Sequence, residues 1–139
     1  MKVKPVKPPR EFVVGSKEHP ITIKDCARIE LSADEQVTFV TENGGEYDVA
    51  RKFWGFYAAP SLNGRLLSFN LRPVLVENRV GRFFILLVEK GKEDLFQEYL
   101  DCEHLQVTLW FDDARSLKKL GQRKEKAKKK ILKPQKRME

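Results

Sequence analysis

The chain is poor in the features that mark most specialised proteins. Two cysteines and two histidines in 139 residues are too few for a disulfide framework. Cys26 and Cys102 stand outside any CxxC or CxxH spacing, and His19 and His104 lie far apart in sequence, so no metal site is expected. The longest apolar run, Phe83 to Val88, has six residues, where a membrane helix needs about 20. The opening Met1-Lys2-Val3-Lys4-Pro5 lacks the apolar stretch of a secretory signal. A cytoplasmic protein without a membrane span is therefore expected. There is also no GxGxxG, GxxxxGK[ST] or GxSxG, the spacings that cradle phosphates or raise a nucleophilic serine. No cofactor is expected, and an ordinary enzyme is disfavoured.

What is present is charge, unevenly placed. The formal net charge is +7. Residues 1–10 carry Lys2, Lys4, Lys7 and Arg10 with no acid, a local +4, and residues 116–139 contribute +9, which leaves 11–115 at −6. An acidic body thus carries two basic ends, and polyanion binding is expected at the ends. Lysine alternating with Pro5, Pro8 and Pro9 reads as a flexible lead-in over 1–10, since proline donates no amide and little there can be buried. Residues 11–115 read as one β-rich domain.

Between 20 and 90 the apolar period is two. Ile21–Ile23, Ala27–Leu31 and Gln36–Thr41 alternate, Asn43-Gly44-Gly45 is a tight-turn signal, and Tyr47–Ala50 should return antiparallel. Arg72–Glu77 and Arg82–Glu89 predict a hairpin across Asn78–Gly81. The second of these strands is apolar on both faces and is expected to be central. Leu95, Phe96, Tyr99 and Leu100 share one face of a helix over about 92–102, with Glu93 and Asp94 in its first turn. Leu105–Phe111 alternates again. The fold class is α+β: a strand-dominated, curved or barrel-like antiparallel sheet with one covering helix. Residues 116–139 predict a frayed helix or a disordered tail.

The chemically distinctive stretch is Arg51 to Arg65, RKFWGFYAAPSLNGR. It places four aromatics beside three cations. Strand alternation puts one set of aromatics into the core and leaves the other as a platform. Such a platform stacks a sugar ring or a base, while guanidinium groups clamp phosphate or carboxylate. Arg51, Trp54, Tyr57, Ser61, Asn63 and Arg65 are the candidate ligand-binding residues. The RNP1 strand of the RNA-recognition fold fits poorly, because Phe53 stands where it needs glycine. The RxxxR…[D/N]xSxxG signature of PilZ domains loses two positions, to Lys24 and Ala59.

The run Trp54 to Leu66, WGFYAAPSLNGRL, resembles a motif of small bacterial proteins associated with gene neighbourhoods for cell-surface sugar biosynthesis. The likeness extends to Glu35–Glu42, Glu46–Lys52 and Leu86–Lys92, and spans roughly 11–111. No activity goes with that family, so the resemblance implies a context rather than a mechanism.

Three readings follow. The first is a non-catalytic binding or accessory protein in bacterial cell-surface polysaccharide metabolism, taking a sugar or phosphate-bearing small molecule on 51–65. The second is nucleic-acid (RNA) binding through the basic tails, with Lys118, Lys119, Arg123, Lys124, Lys126, Lys128, Lys129 and Lys130 neutralising phosphates. The third is an enzyme acting on a sugar nucleotide, with Glu46 or Asp48 as its acid.

Overall fold

The computed structural model describes residues 1–122. Its strands fall into three antiparallel sheets. The first is a two-stranded ribbon of β1 (Lys2–Ser16) and β2 (His19–Glu30). The second has the order β3 (Gln36–Val40), β4 (Glu46–Lys52), β5 (Gly55–Tyr57). The third contains β6 (Leu71–Glu77), β7 (Phe83–Glu89) and β8 (Gln106–Trp110), with β6 between the other two. Two helices, α1 (Arg65–Ser68) and α2 (Glu93–Glu103), complete the labelled elements, and a further helical segment covers 114–122. The fold is α+β and strand-dominated, as expected. Where a single curved or barrel-like sheet was expected, the antiparallel strands divide into three sheets, none closed into a barrel.

The third sheet holds the core. Val74, Val76, Val88 and Leu100 are buried together, with Leu86, Phe96, Leu105 and Trp110 packed around them. Val74 lies opposite both Leu86 and Trp110, so these side chains project from one sheet face, and α2 closes over it. Because β7 and β8 both run antiparallel to β6, they are parallel to each other. Parallel strands need a crossover, and α2 supplies it across β6.

This topology corrects the expectation that 82–89 is central. The central strand is β6, and β7 lies at an edge with Phe83, Phe84 and Ile85 exposed. Apolarity alone does not distinguish a central strand from an edge. Pro73 is tolerated in β6 because β8 ends there. The ladder stops at Val74 opposite Trp110, and the Phe111 amide donates to the Pro73 carbonyl at 2.9 Å, so the missing proline N–H costs no strand pairing. Arg72 fastens the same end. Its guanidinium bonds Asp112 at 2.7 Å and Glu93 at 3.2 Å and lies 4.0 Å from the Trp110 ring centre.

The predicted turns form as their residues dictate. Gly44, at φ +90°, sits between β3 and β4, and the Thr41 amide bonds the Gly45 carbonyl at 2.8 Å. Asn78 Oδ1 accepts from the amides of Val80 and Arg82. Asp113 accepts from the Arg115 amide and the Ser116 hydroxyl, which caps the 114–122 segment.

The flexible lead-in expected over 1–10 is also corrected. These residues are the first part of β1, with Lys2 to Pro5 opposite Glu30 to Ala27 and a register shift before Arg10. The ribbon is held at both ends. Near its turn, the Ser16 amide donates to Glu103 on α2 at 3.0 Å. At its open end, the Met1 amino group meets Glu35 at 3.0 Å. Between these anchors, alternation gives the ribbon two unlike faces. Val3, Phe12, Val14, Ile21, Ile23 and Ile29 fall on one, and Lys2, Lys4, Lys24 and Arg28 on the other.

Candidate functional site

The site begins at a turn. Lys52 pairs with Gly55 across the β4–β5 hairpin, so Phe53 and Trp54 form a two-residue loop. Gly55 closes the turn at φ +149°, a backbone that side chains resist. The loop holds two adjacent aromatics in solvent: Phe53 is 84% exposed and Trp54 62%. Phe56 and Tyr57 are exposed as well. The expectation that one aromatic face enters the core is therefore corrected. A tight turn replaces the continuous strand on which that alternation depended.

Arg51 anchors this turn to the ribbon. Its guanidinium donates to the Leu31 carbonyl and to the Lys52 carbonyl, each at 3.0 Å. Its own amide and carbonyl are taken by Glu35 and Asp34. Glu35 in turn accepts from the Ser32 amide at 2.8 Å. That bond, followed by the Met1 ammonium, holds the Glu35 carboxyl below the usual glutamate range. The segment joining β2 to β3 is thus fixed against β4, and the open end of the ribbon is brought up to the aromatic loop.

Between them lies a cleft of about 790 Å³. Its cations are Lys2, Lys4, Arg28 and Arg51, its aromatics Phe53, Trp54 and Phe56, and its one carboxylate Glu30. Lys2 and Glu30 are separated by 3.9 Å, with both side chains about three-quarters exposed, so that contact neutralises little. Among the described residues, Lys4 and Arg28 enter no ion pair. The wall therefore keeps an excess of positive charge beside a stacking surface.

The remaining candidates do not join Arg51 and Trp54 there. Tyr57 and Ser61 line a separate apolar groove of about 600 Å³ with Tyr47, Ile85 and Leu87. Ser61 Oγ accepts the Arg65 amide at 2.7 Å and so starts α1. Arg65 pairs with Asp48 at 2.7 Å and its guanidinium lies 5.3 Å from the Phe69 ring centre. Asn63 is exposed in the loop before α1. Asp48 is 7% exposed; Arg65 binds one of its oxygens and the Thr38 hydroxyl donates to the other at 2.7 Å. That is a structural tie between β3, β4 and α1. Of the tail, Lys118 and Lys119 are exposed on the helical segment, while Arg123, Lys124, Lys126, Lys128, Lys129 and Lys130 lie outside the described residues.

Lys2, Lys4, Arg28, Phe53 and Phe56 complete the cleft and stand outside the six ligand-binding candidates that the sequence singles out. A partial signal existed: Lys2 and Lys4 share a strand face, as do Lys24 and Arg28. Their meeting depends on the Lys4–Arg28 register, which no local pattern announces. Basic charge at the N-terminal end accordingly belongs to the folded body. Among the described residues no cluster of three His, Cys, Asp or Glu side chains is placed to hold a metal ion, and no helix is long and apolar enough to cross a membrane. No family model, curated protein or solved structure matches the chain.

Proposed function

We propose that this is a non-catalytic binding or accessory protein that takes a phosphate-bearing ligand with a flat or sugar ring in the cleft between the ribbon's open end and the β4–β5 loop. The observation that carries the reading is the juxtaposition of four cations with the outward-facing Phe53–Trp54 pair. Guanidinium and ammonium groups bind phosphate oxygens, and an exposed indole stacks a ring at little cost in side-chain freedom. Arg51 is already oriented by two backbone carbonyls, so part of the ordering cost is met before a ligand arrives. The resemblance of residues 54–66 to small bacterial proteins associated with gene neighbourhoods for cell-surface sugar biosynthesis suggests bacterial polysaccharide metabolism as the setting, and a sugar nucleotide carries both the phosphate and the ring that the cleft suits.

Titration of the full chain with a nucleoside diphosphate sugar, followed by calorimetry and amide NMR, tests this. Saturable binding with shifts at 28–31 and 51–56 is expected, weakened several-fold in Trp54→Ala. A folded protein that shows no saturation at millimolar ligand would refute it.

A second reading retains the basic C-terminal segment as a polyanion contact, because Lys118 and Lys119 are exposed at its start. The double variant Lys118→Glu/Lys119→Glu should then weaken RNA binding and leave the small ligand untouched. The reading of Asp48 as a catalytic acid is not advanced, since both its oxygens are engaged in holding the fold.

A further inference from the structure

The cleft accounts for only part of the basic surface beside it. Strand alternation puts Lys24 on the same face of β2 as Arg28, and cross-strand pairing adds Lys4 opposite Arg28 and Lys2 opposite Glu30. A mononucleotide or sugar nucleotide seated against Trp54 has no use for Lys24, which does not line the cleft. Acidic relief on this face is limited to Glu30 and Glu11, and Glu11, the cross-strand neighbour of Lys24, forms no ion pair with it among the described residues.

We infer that the cleft is one end of a track for single-stranded nucleic acid, running from the Phe53–Trp54 loop along the basic face of the β1–β2 ribbon. This rests on the reading of the cleft as a phosphate-and-ring site and extends it to a polymer. Three features carry it. From Lys24 to Glu30 the strand rises about 20 Å, a length suited to a strand of about four nucleotides, at the low end of known single-strand sites. The cations lie in a line on one face, as successive phosphates require. Two aromatics adjacent in sequence, both in solvent, offer faces to successive bases, and such stacking tolerates any sequence. A duplex keeps its bases stacked on each other, so it would leave the aromatic loop idle.

The test is fluorescence anisotropy of a labelled twelve-residue oligouridine against the full chain from 50 to 300 mM salt, with ADP binding measured alongside by NMR. The variants are Trp54→Ala and Lys24→Gln. Both side chains are exposed, and circular dichroism checks that the variants fold. The expected result is that Trp54→Ala weakens the oligomer about 5- to 150-fold, the range of one lost base stack. Lys24→Gln should lower the salt slope by about 0.7 while leaving ADP affinity unchanged.

If ADP binds in a Trp54-dependent way and the oligomer binds no tighter, the track is refuted and the cleft reading survives. If neither ligand depends on Trp54, both fail. Oligomer binding indifferent to both substitutions would assign it to the C-terminal basic segment and overturn the track. Equal competition by a duplex of the same length would overturn it too.

Discussion

Replacing Leu100 by alanine tests whether the core has been correctly located. Leu100 is 3% exposed, and α2 uses it to reach the buried side chains of β6 and β7. Leucine-to-alanine changes in rigid cores cost about 2.7–5.0 kcal/mol, the larger values where the cavity cannot collapse. Collapse is hindered here, because Arg72 fastens β6 to the start of α2 and to the residue pair after β8, while Glu103 ties the far end of α2 to the ribbon. The upper half of the range, about 4 kcal/mol, is therefore expected. Only seven hydrophobic side chains among the described residues are buried, so that loss is large against a total of about 5–15 kcal/mol. It should lower the melting temperature by roughly 10–20 °C. Urea unfolding followed by tryptophan emission is a suitable assay, since Trp110 meets the Phe96 ring edge-on at 5.9 Å and senses α2 directly. A cost below about 1 kcal/mol at an unchanged m-value would mean that α2 does not close this core, and the packing argument would fall.

Three other outcomes follow from the geometry. Gly15→Ala should destabilise the ribbon by at least ~1 kcal/mol, because φ is +92° and the new Cβ would stand 2.6 Å from the His19 carbonyl oxygen; hydrogen exchange should rise in β1 and β2 before α2. Asp48→Ala should cost about 1–3 kcal/mol, mostly from the Thr38 hydroxyl left without its acceptor, since Arg65 is half exposed and regains water; thermal unfolding reads this directly. Glu35, held below the ordinary glutamate value by the Ser32 amide and then the Met1 ammonium, is stabilised as the carboxylate. Its contribution is complete above the unfolded value and is lost as pH falls through the lowered folded one. The β2–β3 junction should therefore loosen in acid, below about pH 4, and Glu35→Gln should abolish that pH dependence in proteolysis of the ribbon.

The sequence by itself determined the local elements. Alternation marked β3 and β8, turn signals between apolar runs marked β4, β6 and β7, and a helical apolar stripe located α2 to within one residue at each end. Asn43-Gly44-Gly45 and Asn78–Gly81 announced their turns through residues that accept positive φ or cap a neighbouring amide. These features depend on neighbours within a few positions, so a linear pattern records them. Tertiary structure alone decided which strands lie side by side. It placed β6 rather than β7 at the centre, because α2 carries β8 over to the far edge of β6. It also drew the lysine- and proline-rich residues 1–10 into pairing with β2, where backbone bonding offsets a poor local propensity. That pairing set Lys4 beside Arg28 and brought both to Trp54. Arg51 and Arg65, equivalent in sequence, were separated: one orients the cleft through backbone carbonyls, and the other is spent on Asp48. Such outcomes turn on strand register and on which partner reaches a charge first, and both are properties of contacts between distant parts of the chain.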